Sequence, residues 1–189
     1  MTAIIDYGER PEYLLWQLEK LGVNLKFTSV ESEILSAEKI ILPDCHDLKK
    51  AIKRLHLLNL FSMLRMIKKP VLGIGNGFSI MCENTHETGK AGLGFFPLSL
   101  AVPSVVPSLP AKLSADICDN VIFMDAVTLD GLYFEKLFLP SSNEFNAAVL
   151  TDHNEIPAAF KKGNYMGVVF NPAFSGPAGN LFLNKFIEI

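Results

Sequence analysis

The chain has 189 residues, of which 49% are hydrophobic and 20% charged, with 20 acidic residues against 17 basic ones for a net charge of −3. That balance excludes a disordered chain and a nucleic-acid-binding tail, and a chain of this length buries roughly 70% of its unfolded surface, enough for one sizeable core. Cys45, Cys82 and Cys118 are an odd set without paired spacing, and residues 1–7 lack the basic start and long apolar stretch of a signal peptide; the expectation is a cytoplasmic protein with reduced thiols.

In chain order, Ala3-Ile4-Ile5 reads as a strand and Leu14, Leu15, Leu18 and Leu21 as one face of a helix, with Pro11 suited to its first turn and Gly22 to its end. Val23, Leu25 and Phe27 alternate with polar residues as a second strand does, and Lys39-Ile40-Ile41-Leu42 is a third, stopped by Pro43. Leu48, Ile52, Leu55 and Leu58 follow helical spacing, which carries on through Leu60 and Leu64 towards Ile67, so one long helix is expected before a fourth strand, Val71-Leu72-Gly73-Ile74. Strands separated by helices imply a mostly parallel sheet with helices on both faces, and they place any site at the carboxyl ends of the strands.

From Ala91 to Ala111 no residue is charged, a length that could span a bilayer as a helix. Pro97, Pro103, Pro107 and Pro110 argue instead for extended connections or short strands, and no membrane span is expected. Further on, Val121-Ile122-Phe123, Leu132-Tyr133-Phe134, Ala147-Ala148-Val149-Leu150 and Val168-Val169-Phe170 read as antiparallel additions to the sheet, and Leu181, Phe182, Lys185 and Phe186 as a closing helix. Without an internal repeat or a linker, residues 1–189 are expected to form one α/β domain.

Residues 48–82 hold seven Lys and Arg and no acid, so this segment carries +7 and, with the chain at −3, the remainder carries −10. A solvated helix face is the ordinary explanation, an acidic protein partner the next, and nucleic acid the last, because aromatic residues are not interleaved. Gly73-Ile74-Gly75-Asn76-Gly77 lacks the glycine spacing of a dinucleotide fingerprint. No residues have zinc-like spacing, and no cofactor or metal is expected.

Four features in order carry a family resemblance: Ala3-Ile4-Ile5-Asp6-Tyr7-Gly8; Lys39-Ile40-Ile41-Leu42-Pro43; Pro70-Val71-Leu72-Gly73-Ile74 followed by Gly92-Leu93-Gly94; and Ile156-Pro157-Ala158-Ala159-Phe160 with Gly167-Val168-Val169-Phe170-Asn171-Pro172 and Ser175-Gly176. Together they resemble the class I glutamine amidotransferases, whose fold is flavodoxin-like, and within them the glutaminase subunit of imidazole glycerol phosphate synthase. The resemblance implies an opening strand, strands feeding an oxyanion loop and a nucleophile, and a late segment carrying a catalytic histidine.

The residues at those positions differ from the family's chemistry, which needs a thiolate on a tight turn, a histidine to take its proton and a carboxylate to orient the histidine. By resemblance, the nucleophile position of Gly-Ile-Cys-x-Gly is Gly75, and the family's His-Pro-Glu falls on Asn171-Pro172-Ala173. The glycine-rich oxyanion loop reads Pro43-Asp44-Cys45-His46, where a carboxylate opposes the negative charge that such a loop stabilises. The glutamine four residues beyond the elbow is Ser79, a His-Ser-Tyr-like segment reads Lys136-Leu137-Phe138, and the family's Trp-containing middle loop has no counterpart.

The expectation is therefore a catalytically degenerate subunit, without its nucleophile, base and orienting acid at Gly75, Asn171 and Ala173. The family's partner, a (βα)8-barrel synthase that receives ammonia in histidine biosynthesis, is the partner it implies, and amidotransfer onto surface sugars is a second setting of related pairs. The alternatives are a module that binds a small molecule in a pocket made of Asp44, Cys45, His46, Gly75, Asn76, Ser79 and Asn171, and an enzyme with reassigned chemistry around Asp44, Cys45 and His46. Cys82 reads as a buried inert thiol, Asp152-His153-Asn154-Glu155 as a charged turn more than a site, and His86 in Asn84-Thr85-His86-Glu87 as similarly ambiguous.

Overall fold

The computed structural model describes residues 1–87, 89–104, 108–118 and 128–189, with the backbone alone at 154 and 155. The sheet begins with β1 (Thr2–Ile5), β2 (Leu25–Thr28), β3 (Lys39–Leu42) and β4 (Val71–Ile74), separated by α1 (Glu12–Lys20), α2 (Glu31–Ser36), α3 (Leu48–Leu57) and α4 (Leu60–Arg65). After β4 come α5 (Asn76–Met81), β5 (Cys82–Asn84), β6 (Phe96–Ala101), β7 (Ala111–Ile117), β8 (Thr128–Phe134), β9 (Leu139–Pro140), β10 (Asn146–Leu150), β11 (His153–Lys162) and β12 (Tyr165–Val168). A 3₁₀ turn (Pro172–Phe174) and α6 (Gly176–Glu188) close the chain.

Among the described residues, nine strands form one sheet in the order β2-β1-β3-β4-β12-β11-β10-β7-β8. Every pairing from β2 to β12 is parallel, and every pairing from β12 to β8 is antiparallel. β5, β6 and β9 form a small second sheet. The parallel strands β1 and β4 are buried at every residue, as strands covered on both faces must be, which is why they read as unbroken apolar runs. Strand order reverses beside β1, since β1 leads to β2 on one side and β3 lies on the other. Right-handed crossovers then place α1 and the α3–α4 pair on opposite faces and open a crevice at the carboxyl ends of β1, β3 and β4. The Gln17 side-chain amide donates to Asn180 Oδ1, which sets α6 beside α1.

Several expectations change. The long helix expected from Leu48 to Ile67 is two helices, because Asn59 adopts φ 58° and ends α3 in the left-handed region that asparagine tolerates. Leu58, which fits the apolar spacing, is 40% exposed there and Leu57 72%. Val168-Val169-Phe170 is a strand only to Val168, and His153 opens β11 opposite Leu150 rather than sitting in a turn. Within the uncharged stretch, β6 alternates buried and exposed residues. Among the described residues no helix is long and apolar enough to cross a membrane. The strand expected at Val121–Phe123 lies outside the described residues.

Lys49, Lys50, Arg54 and Lys69 of the basic segment have partners within the chain, Lys49 and Lys50 at exposed positions. Arg54 pairs with Asp6 at 3.2 Å, Lys49 with Glu87 at 3.0 Å and Lys50 with Asp47 at 3.3 Å, while Lys69 donates to the carbonyls of Leu35 and Ala37 at the end of α2. The Asp47 carboxylate also accepts from the Lys50 amide at 2.9 Å and caps α3.

α5 is pressed onto the sheet. A Cβ at Gly77 would lie 2.0 Å from the Leu42 carbonyl oxygen, so no larger residue fits there. One residue further, Phe78 is fully buried, stacked on Phe160 at 4.2 Å and edge-on to Phe96 at 5.5 Å. These contacts fix α5 and, through it, the turn that leaves β4. Phe78→Ala is expected to cost about 3–5 kcal/mol in urea unfolding, because the fully enclosed ring leaves a cavity that its neighbours cannot close.

Candidate functional site

The carboxyl edge of the sheet is assembled from loops that leave β1, β3, β4, β8 and β12. Gly75 follows β4 with φ 54° and ψ −116° and leads directly into α5, a strand-to-helix elbow in a backbone region that glycine enters at little cost. Pro43 ends β3, and the next residue, Asp44, turns its side chain towards the elbow. A Cβ built on Gly75 would lie 2.5 Å from Asp44 Cγ and Oδ1 and 2.7 Å from Oδ2, so the carboxylate fills the space that a side chain at 75 would need.

Three donors hold that carboxylate. Asp44 Oδ1 accepts from the main-chain amides of Cys45 at 2.9 Å and Asn76 at 2.8 Å and from Lys136 Nζ at 2.9 Å. The Asp44 and Lys136 side chains are 20% and 25% exposed, so the ion pair is shielded far more than a surface pair. The Asn76 side-chain amide donates to the Cys45 carbonyl at 2.7 Å, tying the same two loops a second time. Tyr7 Oη and Asn76 Oδ1 are buried without a hydrogen-bond partner among the described residues.

A cavity of about 390 Å³ opens beside this cluster. Asp44, Cys45, Lys136 and Ala173 contribute to its lining, Leu14 and Phe174 give it an apolar wall, and Tyr13, whose ring lies 4.8 Å from that of Phe174, extends this wall outwards. Arg10 and Glu12, paired at 3.1 Å, also line it, as do Glu135 and His46, whose Nδ1 lies 3.0 Å from Glu9 Oε2.

Of the residues singled out from the sequence, Asp44, Cys45, His46, Asn171 and Ala173 line the cavity, and Gly75 lies behind Asp44. Asn76 and Ser79 are buried and do not line it. Ser79 Oγ instead pairs with His86 Nδ1 at 2.9 Å, and the His86 ring stacks on Phe138 at 4.7 Å. Burial holds the His86 imidazole below its ordinary pKa, outweighing the nearby Glu87, so it stays neutral at pH 7 and serves the packing behind the elbow. Asn171 Oδ1 accepts from the Ala173 amide at 3.1 Å and caps the 3₁₀ turn. Its own amide donates to the Tyr133 carbonyl at 2.8 Å.

Cys45 and His46, adjacent in sequence, diverge. The His46 side chain is 96% exposed and faces Glu9, whereas Cys45 is buried and its thiol is pushed up to about 12 by burial and by the carboxylates of Asp44 and Glu9. Cys82 closes α5 fully buried, with its thiol raised by burial alone. Neither is a thiolate at neutral pH. Among the described residues no group of three or more His, Cys, Asp and Glu is placed to hold a metal ion. Lys136, placed from the sequence only within the His-Ser-Tyr-like segment, is a functional side chain whose role was missed there. It stands next to Glu135 in the otherwise apolar stretch Leu132 to Phe138, and its partner is 92 residues away.

The architecture and the elbow define a class. A solved glutamine amidotransferase superposes with a TM-score of 0.80 over 99% of this chain and 97% of its own at 12% identity, so the fold is that of the class I glutamine amidotransferases. The sequence then narrows the relation, since the chain is a relative of the HisH subunits of imidazole glycerol phosphate synthase. The subunit of Vibrio parahaemolyticus is 26% identical over 199 residues, covering 100% of this chain and 98% of its own length. A HisH 2 subunit of Legionella pneumophila is 27% identical over 201 residues with the same coverage. No family model matches the chain.

The raised Cys45 thiol gives a pH signature. Unfolded, the thiol ionises near 9, and folded only near 12, so its contribution to stability is complete below pH 9 and is lost as pH rises towards 12. Part of the alkaline fall in stability is expected to be missing in Cys45→Ala. At pH 7 iodoacetamide is expected to label the exposed Cys118 and to reach Cys45 only after unfolding. Prompt, selective labelling of Cys45 in the folded chain is the contrary result.

Proposed function

We propose that this chain is a catalytically silent glutaminase-like subunit that docks on, or regulates, a (βα)8-barrel synthase of the imidazole glycerol phosphate synthase type. The observation that carries the reading is the Asp44 carboxylate lying 2.5–2.7 Å from the Cβ that a nucleophile at position 75 would carry. Glutamine hydrolysis through an acyl intermediate needs a thiolate at the elbow, a base within reach and amides free to receive the developing oxyanion. On the family correspondence Gly75 offers no nucleophile, Asn171 no base near pH 7 and Ala173 no orienting acid. The two amides that converge at the elbow, those of Cys45 and Asn76, are already spent on Asp44. What such a chain retains is a fold and its surface. The relatives are named as subunits of a synthase, which supports a partner, and the continuous nine-stranded sheet supports reading residues 1–189 as one glutamine amidotransferase-like domain. The free thiols fit a cytoplasmic setting.

The cavity supports a second reading, a module that holds a small molecule without turning it over. Reassigned thiol chemistry at Cys45 has no such support, because the thiol is buried and stays protonated.

Two measurements test the reading separately. Co-expression with a (βα)8-barrel cyclase of that synthase is expected to yield a complex of fixed stoichiometry by size-exclusion chromatography; two separate peaks at all concentrations would end the docking claim. Ammonia release from glutamine is expected to stay at background for the natural chain and for Gly75→Cys. That variant should also melt at lower temperature, since its Cβ meets the Asp44 carboxylate and its backbone is held at φ 54°. Glutamine turnover by either chain would refute silence.

A further inference from the structure

The Asp44 carboxylate has the surroundings of a bound anion rather than those of an ordinary loop aspartate. Its Oδ1 draws together the Cys45 amide after β3, the Asn76 amide after β4 and the Lys136 ammonium after β8, at 2.8–2.9 Å each. Two of these donors are far away in sequence, 32 and 92 residues from Asp44, so the convergence is a product of the tertiary fold. Two converging main-chain amides with one cation form a receptor for a small carboxylate, and charge-assisted hydrogen bonds of this kind are about twice as strong as neutral ones. The receptor is filled from within because Gly75 has no side chain to compete for the space.

We infer that Asp44 is a resident ligand: its carboxylate occupies an anion site built by three loops and so holds the carboxyl edge of the sheet in one arrangement with no external ligand bound. Asp44 is thus a positioning residue, and glycine at 75 is the steric condition for its role. A small monocarboxylate is the class of ligand that the site takes once the side chain is removed. The inference holds whether or not the chain docks on a synthase, because it concerns contacts within the chain.

The test is the thermal midpoint of Asp44→Gly in sodium formate, compared with sodium chloride and with formamide in sodium chloride at equal ionic strength. The variant is expected to melt several degrees below the natural chain and to recover a large part of that loss in formate, saturably, and not in chloride or formamide. The natural chain is expected to respond to formate no more than to chloride. A variant that melts like the natural chain, or that responds alike to formate and chloride, overturns the inference. Hydrogen exchange on the natural chain covers the case in which the variant does not fold. The Cys45 and Asn76 amides are expected among the slowly exchanging set, and free exchange at both would sink the idea as surely.

Discussion

One carboxylate oxygen sets the geometry of the carboxyl edge. The loops after β3, β4 and β8 have no common secondary structure, and each would leave an amide or ammonium exposed to a half-closed crevice. Asp44 Oδ1 satisfies all three donors, and the Asn76 side chain returns a hydrogen bond to the Cys45 carbonyl. Because a buried donor left unmet costs on the order of 1–3 kcal/mol, and more if charged, the three loops are held more firmly than any one contact suggests. The arrangement depends in turn on α5, whose start supplies the Asn76 amide and whose position is fixed by Phe78 and by the close approach at Gly77.

The same ion pair determines what kind of cavity lies beside it. Asp44 and Lys136 cancel at its base, and Arg10 and Glu12 cancel at its rim. The space between is walled by Leu14, Phe174 and Ala173. A pocket whose base charges are matched and whose lining holds one further carboxylate, Glu135, offers apolar contact together with a polar acceptor. The pocket expected from the sequence also contained Ser79 and Asn76 beside Asp44. Both are turned into the core, Ser79 towards His86 and Asn76 towards Cys45.

The parallel half of the fold was legible because central strands buried on both faces carry an unbroken apolar run, so β3 and β4 end where Pro43 and the elbow end them. Periodicity failed where a backbone conformation overrides it. Asn59 turns left-handed without disturbing the apolar spacing, and a single long helix was the natural reading of Leu48 to Ile67. The elbow and its neighbours at 44, 171 and 173 could be located through the family resemblance, since each lies beside a recognisable strand. Lys136 was located by the same resemblance, in the His-Ser-Tyr-like segment, but its role was not, because that role comes from a pairing across 92 residues that no local pattern encodes. The sequence also suggested that Asp44 would disturb a loop built for negative charge, whereas the structure shows the aspartate itself as the negative charge which that loop receives.

A full-length relation at 26–27% identity, alongside a TM-score of 0.80 at 12%, indicates that the fold tolerates extensive change. Two glycines mark where such change meets a limit. At Gly77 a Cβ would sit 2.0 Å from a main-chain oxygen, and no movement of a flexible side chain relieves that contact. At Gly75 the contact is with a side chain, so what is lost at one position can be made good at the other. The elbow without a side chain and the loop with a carboxylate fill the same volume and meet the same donors, and interiors accept exchanges that keep volume and polarity satisfied. Glycine at 75 and aspartate at 44 thus fit one another, and a side chain at 75 would require the carboxylate to move.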